Sequence, residues 1–150
     1  MTIYNVLINS KNRVVDTNTT SSSIYYFDWG IMEPGAYLLR WGFVSSSVDT
    51  TINKIALISV DLAQNNVYTA SATQIRATNT TILGTAIPNE SASSSFLYGD
   101  SNTNNIIQLN HVPSNNQFYV DIRACDGTLW VDSANNPMPE YVLALNFEKI

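Results

Sequence analysis

Between Gly35 and Ser45 large apolar side chains fall on every second residue: Tyr37, Leu39, Trp41 and Phe43 alternate with Ala36, Leu38, Arg40 and Gly42. Successive side chains of a strand point to opposite faces, so this spacing loads one face of a sheet. A helix would scatter the same four residues around its axis. The rhythm recurs in Tyr4, Val6 and Ile8, in Tyr25, Phe27 and Trp29, and in Phe118, Val120, Ile122 and Ala124. Lys54–Leu62 is a near-continuous apolar run of strand length, which predicts a strand buried on both faces. Ile106–Val112 and Tyr141–Phe147 complete the strong strands. Asn66–Ala70, Thr80–Ile87, Ser94–Tyr98 and Thr128–Asp132 are weaker ones.

The punctuation agrees with short strands. In Glu33-Pro34-Gly35, Pro presets φ and Gly accepts a positive φ, which marks a turn. Asp126-Gly127 stands between Phe118–Cys125 and Thr128–Asp132, a strong hairpin signal. Asn135-Asn136-Pro137-Met138-Pro139 breaks structure before the last strand. Ser, Thr and Asn clusters at Thr17–Ser23, Ser45–Thr51, Asn89–Ser95 and Asp100–Asn105 read as loops. No segment holds a helical period, and Asp61–Gln64 supports no more than a turn. No repeat or shift of composition divides the chain, so residues 1–150 read as one domain. The prediction is an all-β, antiparallel β-sandwich: a single jelly roll of about eight strands. An immunoglobulin-like sandwich is the lesser choice, because its Cys…Trp…Cys spacing is missing.

Charge narrows the function classes. Charged residues make up 13% of the chain, about half the globular norm of roughly 25%. Asn, Ser and Thr supply the polar surface instead. With a net charge of −5 and a pI near 4.5, no nucleic-acid footprint exists; Lys11 and Arg13 are the only local basic pair. A surface of hydroxyls and amides suits packing against protein or sugar. Cys125 is the single cysteine, so neither an internal disulfide nor a cysteine zinc site is expected. It reads as a small residue beside a turn, and a lone thiol fits folding and assembly inside a cell. Met1–Ile8 has no basic region and no long apolar stretch, so no signal peptide is expected; nor is a membrane span. The sequons at Asn18, Asn79 and Asn89 arise readily in so Asn- and Thr-rich a chain.

Chemistry is thinly furnished. His111 is the only histidine and reads as a structural residue on a strand; a nucleophile relay would need it beside a serine and an acid such as Asp121. No G-x-S-x-G elbow is present. Asp28, Asp61, Asp121 and Asp132 sit at strand ends and turns, where aspartates cap backbone N–H groups more readily than they form glycosidase pairs. Loop Asp and Asn oxygens suit calcium better, but no EF-hand spacing exists. No catalytic, cofactor or metal residue is therefore assigned, and the expectation is a protein that is not an enzyme. The aromatic residues are the remaining lead. Trp29 and Trp41 follow core-facing patterns. Trp130, Tyr26 and Tyr98 stand open between core packing and contact with a partner or ligand.

Four elements of the first third form a pattern: Leu7-Ile8-Asn9-Ser10-Lys11-Asn12-Arg13, Tyr25-Tyr26-Phe27-Asp28-Trp29, Glu33-Pro34-Gly35-Ala36-Tyr37 and Trp41-Gly42-Phe43-Val44-Ser45, with Val60-Asp61-Leu62-Ala63-Gln64-Asn65 as a further one. The pattern resembles single jelly-roll penton and minor capsid proteins of large icosahedral DNA viruses and virophages. The resemblance implies a structural protein of the virion, assembled inside the host cell. Its partners would be copies of itself, as a pentamer or trimer, and a double jelly-roll major capsid protein. It implies no active-site residues and no cofactor. The alternative is a carbohydrate- or receptor-binding β-sandwich of lectin or fibre-head type, and a sandwich-fold hydrolase is more distant.

Overall fold

The computed structural model describes residues 1–14, 20–64, 68–70, 75–77, 81–90, 92, 94–104 and 106–150, with backbone alone at 68–70 and 75–77. The predicted strands at Tyr4–Ile8 and Gly35–Ser45 form as β1 (Ile3–Asn9) and β3 (Tyr37–Ser45), separated by β2 (Ser22–Tyr26). β4 (Ala56–Val60), β5 (Tyr68–Ala70), β6 (Ile75–Ala77) and β7 (Thr81–Pro88) follow. β8 (Leu97–Asp100), β9 (Ile107–Leu109), β10 (Gln117–Arg123) and β11 (Tyr141–Lys149) complete the chain. Among the described residues two single 3-10 turns occur, Ser10–Asn12 and Trp29–Ile31. Among the described residues no helix is long and apolar enough to cross a membrane.

All strand pairs are antiparallel, and their order is that of a jelly roll. One sheet runs β1-β11-β3-β8, with β9 sharing the β8 side of β3; the other runs β2-β10-β4-β7. Most connections cross between the sheets, as β1 to β2, β3 to β4 and β10 to β11 do. At one side the sheets join directly, where β7 pairs β8 through Ile87–Tyr98 and Pro88–Leu97. A tight fit allows this crossing. A Cβ on Gly99 would lie 2.3 Å from the Thr85 carbonyl oxygen, so only glycine lets β8 approach β7 this closely. Gly99→Ala is expected to cost about 1–3 kcal/mol through forced backbone movement, measurable as a lower urea midpoint with an unchanged slope.

The core lies between the sheets, built from the residues of the period-two pattern. Tyr37, Leu39, Trp41 and Phe43 of β3 and Tyr141, Leu143, Leu145 and Phe147 of β11 are buried. They face Tyr25 of β2, Phe118, Val120 and Ile122 of β10, and Ala56, Ile58 and Val60 of β4. Trp29 plugs one end, its ring 5.4 Å from Phe118 and 5.5 Å from Phe147, one on each sheet. The Tyr25 and Tyr141 hydroxyls meet at 2.9 Å between the sheets, and burial pushes both phenols above their ordinary range.

Several elements differ from expectation. The predicted strand Thr128–Asp132 reduces to bridges at Arg123–Leu129 and Val131–Pro137. The Asp126-Gly127 turn does form, with Gly127 at φ +88° and the Ala124 N–H donating to the Thr128 carbonyl at 2.8 Å. Ile106–Val112 shortens to β9, because β8 and β9 divide one side of β3 between them. β8 begins at Leu97, so most of Ser94–Tyr98 is loop. β4 is buried at Ser59 as well as on its inner face, although Leu57 keeps partial exposure. Ser22 and Ser23 belong to β2 and not to a loop. Asn66, Thr80, Asn105, the segment 17–19 and the sequons at Asn18 and Asn79 lie outside the described residues.

Candidate functional site

The outward positions of the β1-β11-β3-β8 sheet carry an organised apolar feature. Strand register places Val142 of β11 opposite Val44 of β3, Val44 opposite Tyr98 of β8, and Tyr98 opposite Ile87 of β7. These four side chains form one row across four strands, at about 4.8 Å per strand. Phe96 extends it, with its ring 6.0 Å from that of Tyr98. Val44, Ile87, Phe96 and Tyr98 are 43–47% exposed, and Val142 is half-buried.

Beside the row lies a hollow. Ala144 stands between Leu7 of β1 and Gly42 of β3, and nothing occupies the space a Cβ on Gly42 would enter. The two small residues leave a shallow depression of about 500 Å³, walled by Asn5, Leu7, Arg40 and Asn146. Leu7 is 69% exposed at its rim. At the margins Arg40 pairs with Glu148 and Lys11 with Glu140, and Asp100 of β8 stands opposite Gly42, its carboxylate accepting the Asn102 and Thr103 N–H groups of the following turn.

Tyr98 therefore sits in the middle of the apolar row. Tyr26 is 68% exposed on the opposite outer face, its hydroxyl donating to Gln117 Oε1 at 3.1 Å, near Ile24 and the half-exposed Tyr119. Trp130 is a correction. It is wholly buried and offers no surface to a partner or ligand. Its segment folds under the β10 end: the Trp130 N–H donates to the Ile122 carbonyl at 2.9 Å and its Nε1 to the Asn53 carbonyl at 3.3 Å.

No family model matches the chain, and no curated protein matches it significantly.

The titratable residues are dispersed. His111 is exposed in the bend after β9, not on a strand, with Nδ1 2.8 Å from the Val112 carbonyl oxygen. It shares an open concavity of about 540 Å³ with Asp28 and Ser114, yet no hydrogen bond joins these three. Asp28 Oδ1 instead accepts the Gly30 N–H at 2.9 Å, capping the 3-10 turn. Asp121 accepts from the Ser22 hydroxyl at 2.7 Å and pairs with Arg123. Asp61 accepts from Asn115 Nδ2 at 3.0 Å. Asp126 and Asp132 hold turns through backbone N–H groups of Thr128, Ala134 and Asn136. Donated hydrogen bonds favour the carboxylate, so Asp126 and Asp132 titrate below the ordinary range. Asp49, which accepts from the Ser133 and Thr51 hydroxyls, is lowered to about 2. Among the described residues no three His, Cys, Asp or Glu side chains gather as metal ligands. Cys125 is exposed in the turn after β10.

The apolar row escaped the sequence reading. Tyr98 stood out alone as a possible contact; Val44, Ile87 and Val142 are unremarkable singly, and a period-two pattern says only that each points away from its strand's core set. Their alignment depends on register between strands far apart in sequence.

Proposed function

We propose that this chain is a non-enzymatic structural subunit of an icosahedral virion shell, a penton or minor capsid protein, assembling with copies of itself beside a major capsid protein. A jelly roll serves capsids and lectins alike, so the fold alone does not choose. The observation that carries the reading is the uncharged row Val142–Val44–Tyr98–Ile87 with Phe96 on an outer sheet face. Isolated exposed apolar residues are ordinary, but a contiguous band rimmed by polar groups marks an interaction surface. With Leu7, the exposed side chains offer about 400 Å², taking roughly 150–200 Å² per large side chain. A stable interface buries about 800 Å² per partner, somewhat more than half of it apolar. The band therefore matches the apolar share of one subunit contact. Sparse charge lets such faces meet without stripping water from many ions. The resemblance between Leu7 and Ser45 supports the same reading.

The second reading rests on Tyr26. An exposed ring beside the Gln117 amide, with Tyr119 near, is the furniture of a sugar platform. Light scattering separates the two. A pentamer or trimer at micromolar concentration is the expected result. A chain that stays monomeric at high concentration and binds glycans through Tyr26 would overturn the capsid reading.

A further inference from the structure

We propose that the open edge of β1 pairs with β1 of a second copy of this chain, joining two sandwiches through one continuous sheet. β1 bonds to β11 on one side, and among the described residues no strand lies on its other. The Lys149 N–H donates to the Thr2 carbonyl at 3.0 Å, which makes Thr2–Lys149 a hydrogen-bonded pair. Bonded and non-bonded pairs alternate along an antiparallel ladder, so Tyr4, Val6 and Ile8 bond to β11. The N–H and C=O groups of Ile3, Asn5 and Leu7 and the N–H of Asn9 consequently point to the open edge, while the Asn9 carbonyl begins the 3-10 turn.

Proteins ordinarily guard such an edge with lysine, proline, a bulge or a very short strand. β1 has none of these. It is seven residues of Ile, Tyr, Asn, Val, Leu, Ile and Asn in unbroken register. The other terminal strand, β2, is partly covered, because its Ile24 carbonyl accepts the Val14 N–H at 2.8 Å. The chain carries a net charge of −5 but none on β1, so two copies bring no like charges together there.

The sequence of β1 complements itself. An antiparallel pairing centred on Val6 sets Val6 against Val6 and Tyr4 against Ile8 on the core side. On the outer side it sets Asn5 against Leu7 and Ile3 against Asn9. No like charges oppose, and the four residues with open backbone groups fall into the bonded positions. Ile3 and Leu7, 46% and 69% exposed, lose water on pairing. This contact is main-chain and two-fold; it shares only Leu7 with the outer-face band, and it stands without the capsid reading.

The test is amide hydrogen exchange by NMR on the full chain across concentration, with sedimentation of two variants. Asn5→Pro removes an edge N–H without touching the β11 ladder, a position where a strand tolerates proline. Leu7→Lys adds a charge to the edge. The Ile3, Asn5 and Leu7 amides are expected to gain protection as concentration rises, while Val6 is protected throughout. Each variant should weaken association at least roughly tenfold, about the loss of one or two hydrogen bonds per pair. Free exchange of those amides in a sample that is already oligomeric would overturn the pairing and leave assembly through the outer face standing. Protection that persists unchanged on dilution, or a chain monomeric at every concentration, also overturns it.

Discussion

Trp130→Ala is expected to destabilise the protein by about 3–5 kcal/mol, the usual range for emptying a large aromatic site. The side chain is wholly buried, so the truncation leaves a cavity that surrounding strands fill only in part. It also lies in a shared bonding site. The Ser21 hydroxyl, itself buried, donates to the Trp130 carbonyl at 2.6 Å and accepts the Met138 N–H at 2.8 Å. Asn53 adds two bonds, its carbonyl accepting from Trp130 Nε1 at 3.3 Å and its Nδ2 donating to the Val131 carbonyl at 2.7 Å. Of these bonds only the one from Nε1 to Asn53 is lost with the indole; the others run through backbone groups, so the cost is chiefly that of the cavity. Such a loss is a large share of a net stability of about 5–15 kcal/mol. Trp130→Phe keeps most of the volume and loses the Nε1 bond, so it costs less, about 1–3 kcal/mol. Urea unfolding followed by circular dichroism measures both. An alanine variant as stable as the parent would show that the site is not packed as described.

Charging the apolar row is expected to abolish assembly through the outer face while leaving the fold, and pairing through the β1 edge, intact. In the double variant Val44→Asp/Tyr98→Asp, two carboxylates replace cross-strand neighbours at the centre of the band. Central apolar anchors carry most of an interface's energy, about 2 kcal/mol or more each, and a buried unpaired charge is costly as well. Association should weaken by roughly 100-fold or more. Both side chains point away from the core, so the fold should persist, with the melting temperature lowered modestly by the two carboxylates that face each other across β3 and β8. Tyr26→Ala, on the opposite outer face, is the matching control and should leave assembly near its parent value. Analytical ultracentrifugation reads all three. If the double variant assembles like the parent, the row is not the contact.

These two experiments fall on residues that the sequence treated alike. Trp130 and Tyr98 each sit on a short strand-like segment near turn signals, and neither is decided by alternation alone. Alternation works over long strands because burial then follows from every second residue. It identified the inward faces of β1, β3 and β10 for that reason. Over the few residues after Asp126-Gly127 it lacks length, and the backbone there turns inward around Trp130 instead of continuing a ladder. His111 escaped for a related reason: β9 stops at Leu109, since β8 occupies the rest of the shared side of β3.

The local order of side chains by itself determined an all-β chain, the inward face of its long strands, its sparse charge and the sites of its main turns. These depend on chemistry between residues one or two apart. Strand order, register and the depth of short segments were decided only in three dimensions, because they are set by pairings between distant parts of the chain. The row through Val142, Val44, Tyr98 and Ile87 exists only once those pairings bring four separate strands into line.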